Sequence, residues 1–156
     1  MEIIMKQIAS FSVNHDYITP GIYLSRVDGD VVTYDLRTRR PNCGDYMDHL
    51  TMHSLEHMFA TLVRHSEIAD DVIYFGPMGC QTGFYLLTRN SVSHEKALEV
   101  IKSVLRQIGN EPAMYGATRV ECGNYQNLSL DAAKKEAASY LAVLESRDWD
   151  FTYPTK

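Results

Sequence analysis

A chain of 156 residues, 45% hydrophobic and 22% charged, has the size of one domain and enough apolar residues to bury a core without disulfides. Fifteen Lys and Arg, scattered rather than gathered into a stripe, stand against twenty Asp and Glu for a net charge of −5, which argues against nucleic acid as a partner. The first ten residues lack the apolar core of a signal peptide, and no run approaches the roughly 20 apolar residues of a membrane span, so a cytoplasmic protein without a membrane partner is expected.

In chain order, residues 31–37 follow the turn Asp28-Gly29-Asp30, are rich in β-branched side chains and read as a strand that ends on Arg37. From Met47 to Val63, the apolar positions Met52, Leu55, Phe59 and Leu62 recur at spacings of three and four, the pattern of an amphipathic helix, with Asp48 as its N-cap. Residues 71–75 and 84–88 read as two strands flanking 76–83, whose Gly and Pro content signals a tight turn. A second helix is expected from the N-cap Ser93 to a stop at Gly109, with Ala97, Ile101, Val104, Leu105 and Ile108 on one face. A third starts near Ser129 and runs past Leu144. Neighbouring strands interleaved with long amphipathic helices predict a single α+β domain, an antiparallel sheet covered by helices on one face.

The chemistry-bearing residues cluster around the first helix. His53 and His57, four apart in His53-Ser54-Leu55-Glu56-His57, place two imidazoles on one helical face, a geometry that grips one ion. Glu56, three residues after His53, can lean toward the same ion as a general acid or base, and the whole is the H-x-x-E-H pattern. Two imidazoles leave an ion short of the three protein ligands of a catalytic centre. Cys122, with the flexible Gly123 beside it, is the soft candidate for the third, against the reading of a small buried hydrophobe. The three cysteines are an odd number with no C-x-x-C pair, which suits reduced thiols. Cys80, in the Gly-rich turn, reads either as an exposed thiol placed to meet substrate or as a core cysteine. Cys43 has no assigned role. His49, His65 and His94 read as structural or solvated, and His15 is ambiguous.

Together, Tyr34-Asp35-Leu36-Arg37, Arg40-Pro41-Asn42, His53 to His57, Gly76-Pro77-Met78-Gly79-Cys80-Gln81-Thr82-Gly83 and Cys122-Gly123 resemble the S-ribosylhomocysteine lyase (LuxS) family in order and spacing along nearly the whole chain. The resemblance implies a homodimer with active sites at the subunit interface. It also implies one divalent metal per subunit on His53, His57 and Cys122, natively ferrous iron, with zinc or cobalt able to substitute. Cys80 matches the family's catalytic thiol and Glu56 its catalytic carboxylate, while Ser10, His15 and Arg37 fall where substrate-contacting side chains lie. The implied reaction cleaves S-ribosylhomocysteine to homocysteine and 4,5-dihydroxy-2,3-pentanedione, a signal precursor. Two departures stand out. Tyr74-Phe75-Gly76 replaces the Asp-Ile-Ser of many members, which removes an acidic residue able to pair with the homocysteine amino group, and Thr38-Arg39 replaces a Phe-Cys.

Two other readings compete. An inverted-motif zinc metallopeptidase would use Glu56 to activate water, but such enzymes are larger and Cys80 would be left idle. A structural-metal binding domain would need four closing ligands, commonly several cysteines. Thiol release from S-ribosylhomocysteine separates all three.

Overall fold

The computed structural model describes residues 5–155. Four strands, β1 (Gly21–Asp28), β2 (Val31–Arg37), β3 (Val72–Pro77) and β4 (Gly83–Arg89), form one antiparallel sheet in the order β1-β2-β4-β3. The two-residue turn Gly29-Asp30 joins β1 to β2, and the 78–82 turn joins β3 to β4. β2 and β4 lie centrally, and their register pairs Arg37 with Gly83, so the end of β2 meets the turn that carries Cys80. Gly83 is required there: a Cβ would stand 2.6 Å from the Leu36 carbonyl oxygen.

Side-chain alternation divides the sheet. Val32, Tyr34 and Leu36 of β2, with Phe84 and Leu86 of β4, face the core. Asp35 and Arg37 of β2 and Tyr85 of β4 point the other way. Over the core face lie α2 (His49–Val63), α3 (His94–Asn110) and α4 (Leu130–Glu145). Asp48 and Ser93 cap as expected, accepting from the Thr51 amide at 2.8 Å and the Lys96 amide at 3.1 Å, and Ser129, near which the third helix is expected to start, also caps it, accepting from Ala132 at 3.2 Å. Met52, Leu55, Phe59 and Leu62 of α2 are all buried, and Phe59 stacks on Phe75, which stacks on Phe84, tying helix to sheet. Each such apolar side chain stabilises the fold by roughly 1.5–3 kcal/mol on burial. The α+β architecture with helices on one face is therefore as expected. Among the described residues, the opposite face meets α1 (Ala9–Ser12), a single turn, and the C-terminal Tyr153, which donates to Asp35.

Several boundaries differ from the sequence expectation. β1 and α1 were not anticipated. α3 runs through Gly109 and stops at Glu111, whose extended backbone (ψ 138°) precedes Pro112, so proline rather than glycine ends the helix. β3 extends through Pro77, whose missing N–H is tolerated because β3 is an edge strand. Among the described residues no helix is long and apolar enough to cross a membrane.

Candidate active site and metal centre

α2 carries His53 and His57 on a half-buried face turned toward the connection 111–129. His53 Nδ1 lies 2.8 Å from the Asn127 carbonyl oxygen and His57 Nδ1 3.0 Å from that of Tyr115. A carbonyl only accepts, so each Nδ1 carries the hydrogen, the tautomer that turns Nε2 toward an ion as its ligand atom. Cys122 Sγ lies 3.4 Å from His53 Nε2 and accepts from the Asn124 amide at 3.4 Å. The ligand atoms of His53, His57 and Cys122 all lie within 4.8 Å of one another. Ligands of a four-coordinate ion with bonds of about 2.0–2.3 Å stand about 3.5 Å apart, so two nitrogens and one sulfur at this spacing fit a divalent transition metal. The long connection is pinned to α2 further by Ser129 N–H donating to the buried Ser54 Oγ at 2.8 Å. Gly116, at φ 65°, lies against the His57 ring, where a Cβ would stand 2.8 Å from Nδ1. Glu56 is half-buried on the same helix, one residue before His57.

A second constellation forms on the sheet face that the long helices leave free. One open cavity is lined by Ser10, Phe11, His15, Arg37, Met78, Cys80 and Tyr85 among others, so four residues singled out in the sequence converge there from three separate segments. Cys80 is exposed, which decides against the core-cysteine reading. His15 turns its Nδ1 to the Val13 carbonyl at 2.9 Å, leaving Nε2 available. Arg37 is 2% exposed and donates from Nη2 to Asp35 at 2.6 Å and from Nη1 to Thr82 Oγ1 at 2.8 Å. Burial works against its charge, but Asp35, together with the neighbouring Cys80 and Tyr153, outweighs this and holds the Arg37 pKa above its usual value. Thr82 Oγ1, having accepted from Arg37, still has its hydrogen and a second lone pair, and shares a hydrogen bond with Cys80 Sγ 3.0 Å away in which it donates when the sulfur is a thiolate.

The turn that presents Cys80 is held in an uncommon conformation. Gln81 takes φ 66°, and its backbone carbonyl and side-chain Nε2 clasp the N–H and C=O of Met47 at 3.0 and 2.9 Å. The thiol-bearing turn is thereby fastened to the residue just ahead of α2.

The family model for S-ribosylhomocysteinase (LuxS) matches residues 8–150. The chain belongs to the LuxS family. Among LuxS relatives, a Borreliella afzelii protein named S-ribosylhomocysteine lyase is 39% identical, the match covering 96% of this chain and all of that protein. Those of Clostridium beijerinckii and Finegoldia magna, carrying the same name, are 38% and 40% identical over 96% and 91% of this chain and 99% and 94% of theirs.

Three residues at this LuxS site had no role in the sequence reading: Asp35, Thr82 and Tyr85. Alternation offered a signal for two of them, because Asp35 shares a strand face with Arg37, and Tyr85 is its register partner on β4. The remaining histidines stay outside the metal cluster: His49 contacts the Asn127 side chain, His65 the Thr61 carbonyl and His94 the Tyr34 hydroxyl. Cys43 is an exposed loop thiol. Tyr74, at the first departure from the family pattern, is 52% exposed and lines a neighbouring cavity with Tyr85 and Ser10.

Proposed function

We propose that this chain is a carbon–sulfur lyase that cleaves S-ribosylhomocysteine to homocysteine and 4,5-dihydroxy-2,3-pentanedione. The observation that carries the reading is the His53, His57, Cys122 cluster, with both imidazoles oriented by backbone carbonyls, in a chain of the LuxS family.

The reaction is redox-neutral. An unactivated thioether breaks only when the carbon next to the C–S carbon is flanked by a carbonyl, so the sugar carbonyl must migrate along the chain before homocysteine leaves by β-elimination. Each migration moves one proton between adjacent carbons and one between their oxygens. A divalent ion on His53, His57 and Cys122, ferrous iron in the native protein with zinc or cobalt as substitutes, would supply the Lewis acidity that makes these carbons acidic. Cys80 Sγ takes a proton from one carbon and returns it to the next. Arg37 Nη1, 4.0 Å from that sulfur, provides a fixed cation while the sulfur is charged, and Thr82 provides a hydrogen bond. Glu56 is the second proton carrier. Ser10 and His15 bind and orient the sugar, and Arg37 presents only its Nη1 edge to the cavity.

The Cys80 cavity is lined by none of His53, Glu56, His57 or Cys122. The face around it exposes Ile8, Phe11 and Tyr74, an apolar surface suited to burial against another copy. Both features support a homodimer in which each copy's metal cluster completes the other's Cys80 cavity. The protein would act in the cytoplasm, and its pentanedione product would be the precursor of a quorum-sensing signal.

Release of free thiol from S-ribosylhomocysteine by the metal-loaded protein, read with a thiol-reactive dye, tests the activity. Absence of release, alongside hydrolysis of a peptide panel, would instead establish the metallopeptidase reading.

A further inference from the structure

Asp35 is a carboxylate at 1% exposure, and no step of the lyase reaction employs it. Both of its oxygens are engaged. Oδ1 accepts from Arg37 Nε at 3.1 Å, and Oδ2 accepts both from Arg37 Nη2 at 2.6 Å and from the Tyr153 hydroxyl at 2.7 Å. A guanidinium is planar and its donors form a rigid fork. Once the Nε and Nη2 edge is gripped, the direction of the third nitrogen is fixed, and here it points to Thr82 Oγ1 at 2.8 Å with Cys80 Sγ 4.0 Å away. The line Tyr153, Asp35, Arg37, Thr82, Cys80 is therefore continuous.

Tyr153 belongs to a C-terminal strap that is itself anchored. The Phe151 carbonyl accepts from the Leu24 amide at 2.8 Å, and Phe151 is buried with φ 64°. The Tyr153 ring stacks on Tyr23, centroids 4.9 Å apart. Burial and the adjacent Asp35 charge push the Tyr153 phenol pKa far up, so it remains a donor.

We propose that Asp35 and Tyr153 are positioning residues that act through Arg37 on the Cys80 thiol, so that the strap 151–155, past the stretch 8–150 matched by the family model, is part of the active-site scaffold. In this arrangement the phenol fixes the carboxylate, the carboxylate fixes the plane of the guanidinium, and the guanidinium keeps its cationic nitrogen beside the sulfur. The inference rests on the proton-carrying role given to Cys80 above.

The test uses the full-length, metal-loaded protein and the alkylation rate of Cys80 by iodoacetamide, followed on the Cys80 peptide by mass spectrometry to separate it from the exposed Cys43. Tyr153→Phe keeps the ring stacked on Tyr23 and removes only the hydroxyl. It should leave the melting temperature close to wild type yet slow Cys80 alkylation by about fivefold, the scale of one ordinary hydrogen bond. The kcat for homocysteine release should fall in parallel, with KM unchanged. A residue that merely holds the strap would show the reverse: Tyr153→Phe like wild type, and only Tyr153→Ala lowering the melting temperature. In an Arg37→Lys background, which lacks the fork, Tyr153→Phe should have no further effect on alkylation. The proposal is overturned if Tyr153→Phe alkylates at the wild-type rate, or if it slows alkylation equally in both backgrounds. Alkylation needs no substrate, so a wild-type protein that releases no homocysteine would refute the lyase reading while leaving this coupling separately measurable.

Discussion

Replacing Gly116 by Ala should weaken metal binding although Gly116 offers no ligand. Two strains act together at this position. The backbone sits at φ 65°, where an L side chain costs roughly 1–2 kcal/mol, and the added methyl would stand 2.8 Å from His57 Nδ1, well inside van der Waals contact. Relief requires the His57 ring to tilt or the Tyr115 carbonyl to withdraw, and either move lengthens the 3.0 Å hydrogen bond that orients the imidazole. Loss of such an orienting partner typically lowers affinity by about 10- to 100-fold. Competition against a chelator of known affinity, with zinc as probe, measures the effect, and a thermal melt of the metal-free protein reports the backbone strain by itself. Equal zinc affinity in Gly116→Ala and wild type would refute the assignment of the Tyr115 carbonyl as the group that aims His57.

The two important thiols should fail differently when each is replaced by Ala: Cys122→Ala should lose both metal and lyase activity, whereas Cys80→Ala should keep its metal by elemental analysis and lose roughly 10²- to 10⁴-fold in rate. A Cys80→Ala protein that releases homocysteine at near the wild-type rate would remove Cys80 from the mechanism. Mixing Cys80→Ala chains with His57→Ala chains should restore about a quarter of wild-type activity, because half of the randomly formed dimers are mixed and each mixed dimer has one intact site. No recovery, with mixed dimers confirmed by mass spectrometry, would mean that each site is built from a single chain.

Legibility in the sequence followed the range of the interactions. α2, α3 and α4 were readable because capping and periodicity are local, and Asp48, Ser93 and Ser129 cap as their side chains dictate. β1 was not, since its outer half is exposed and the bulge between Leu24 and Arg26 breaks the alternation on which strand recognition depends. The His53 and His57 pair is a helical spacing and was visible directly. That their Nδ1 atoms meet the carbonyls of Asn127 and Tyr115 was not, because a backbone carbonyl carries no residue signature and the connection that supplies it has no periodic structure. Asp35 and Tyr153 meet only through folding, across 118 positions of chain.

The connection 111–129 contains no helix or strand, and several of its anchor points lie on α2 or beside the metal ligands. Thermodynamic linkage then makes loop order and ion affinity two descriptions of one quantity. Whatever stiffens the connection in its folded course raises the affinity for the ion by the same factor with which the ion stiffens the connection. Asn127 and Tyr115, whose carbonyls meet the Nδ1 side of the two imidazoles, would then hold a share of the binding free energy of an ion on the opposite side, and sequence drift in this loop would retune metal selectivity and retention without altering a single ligand.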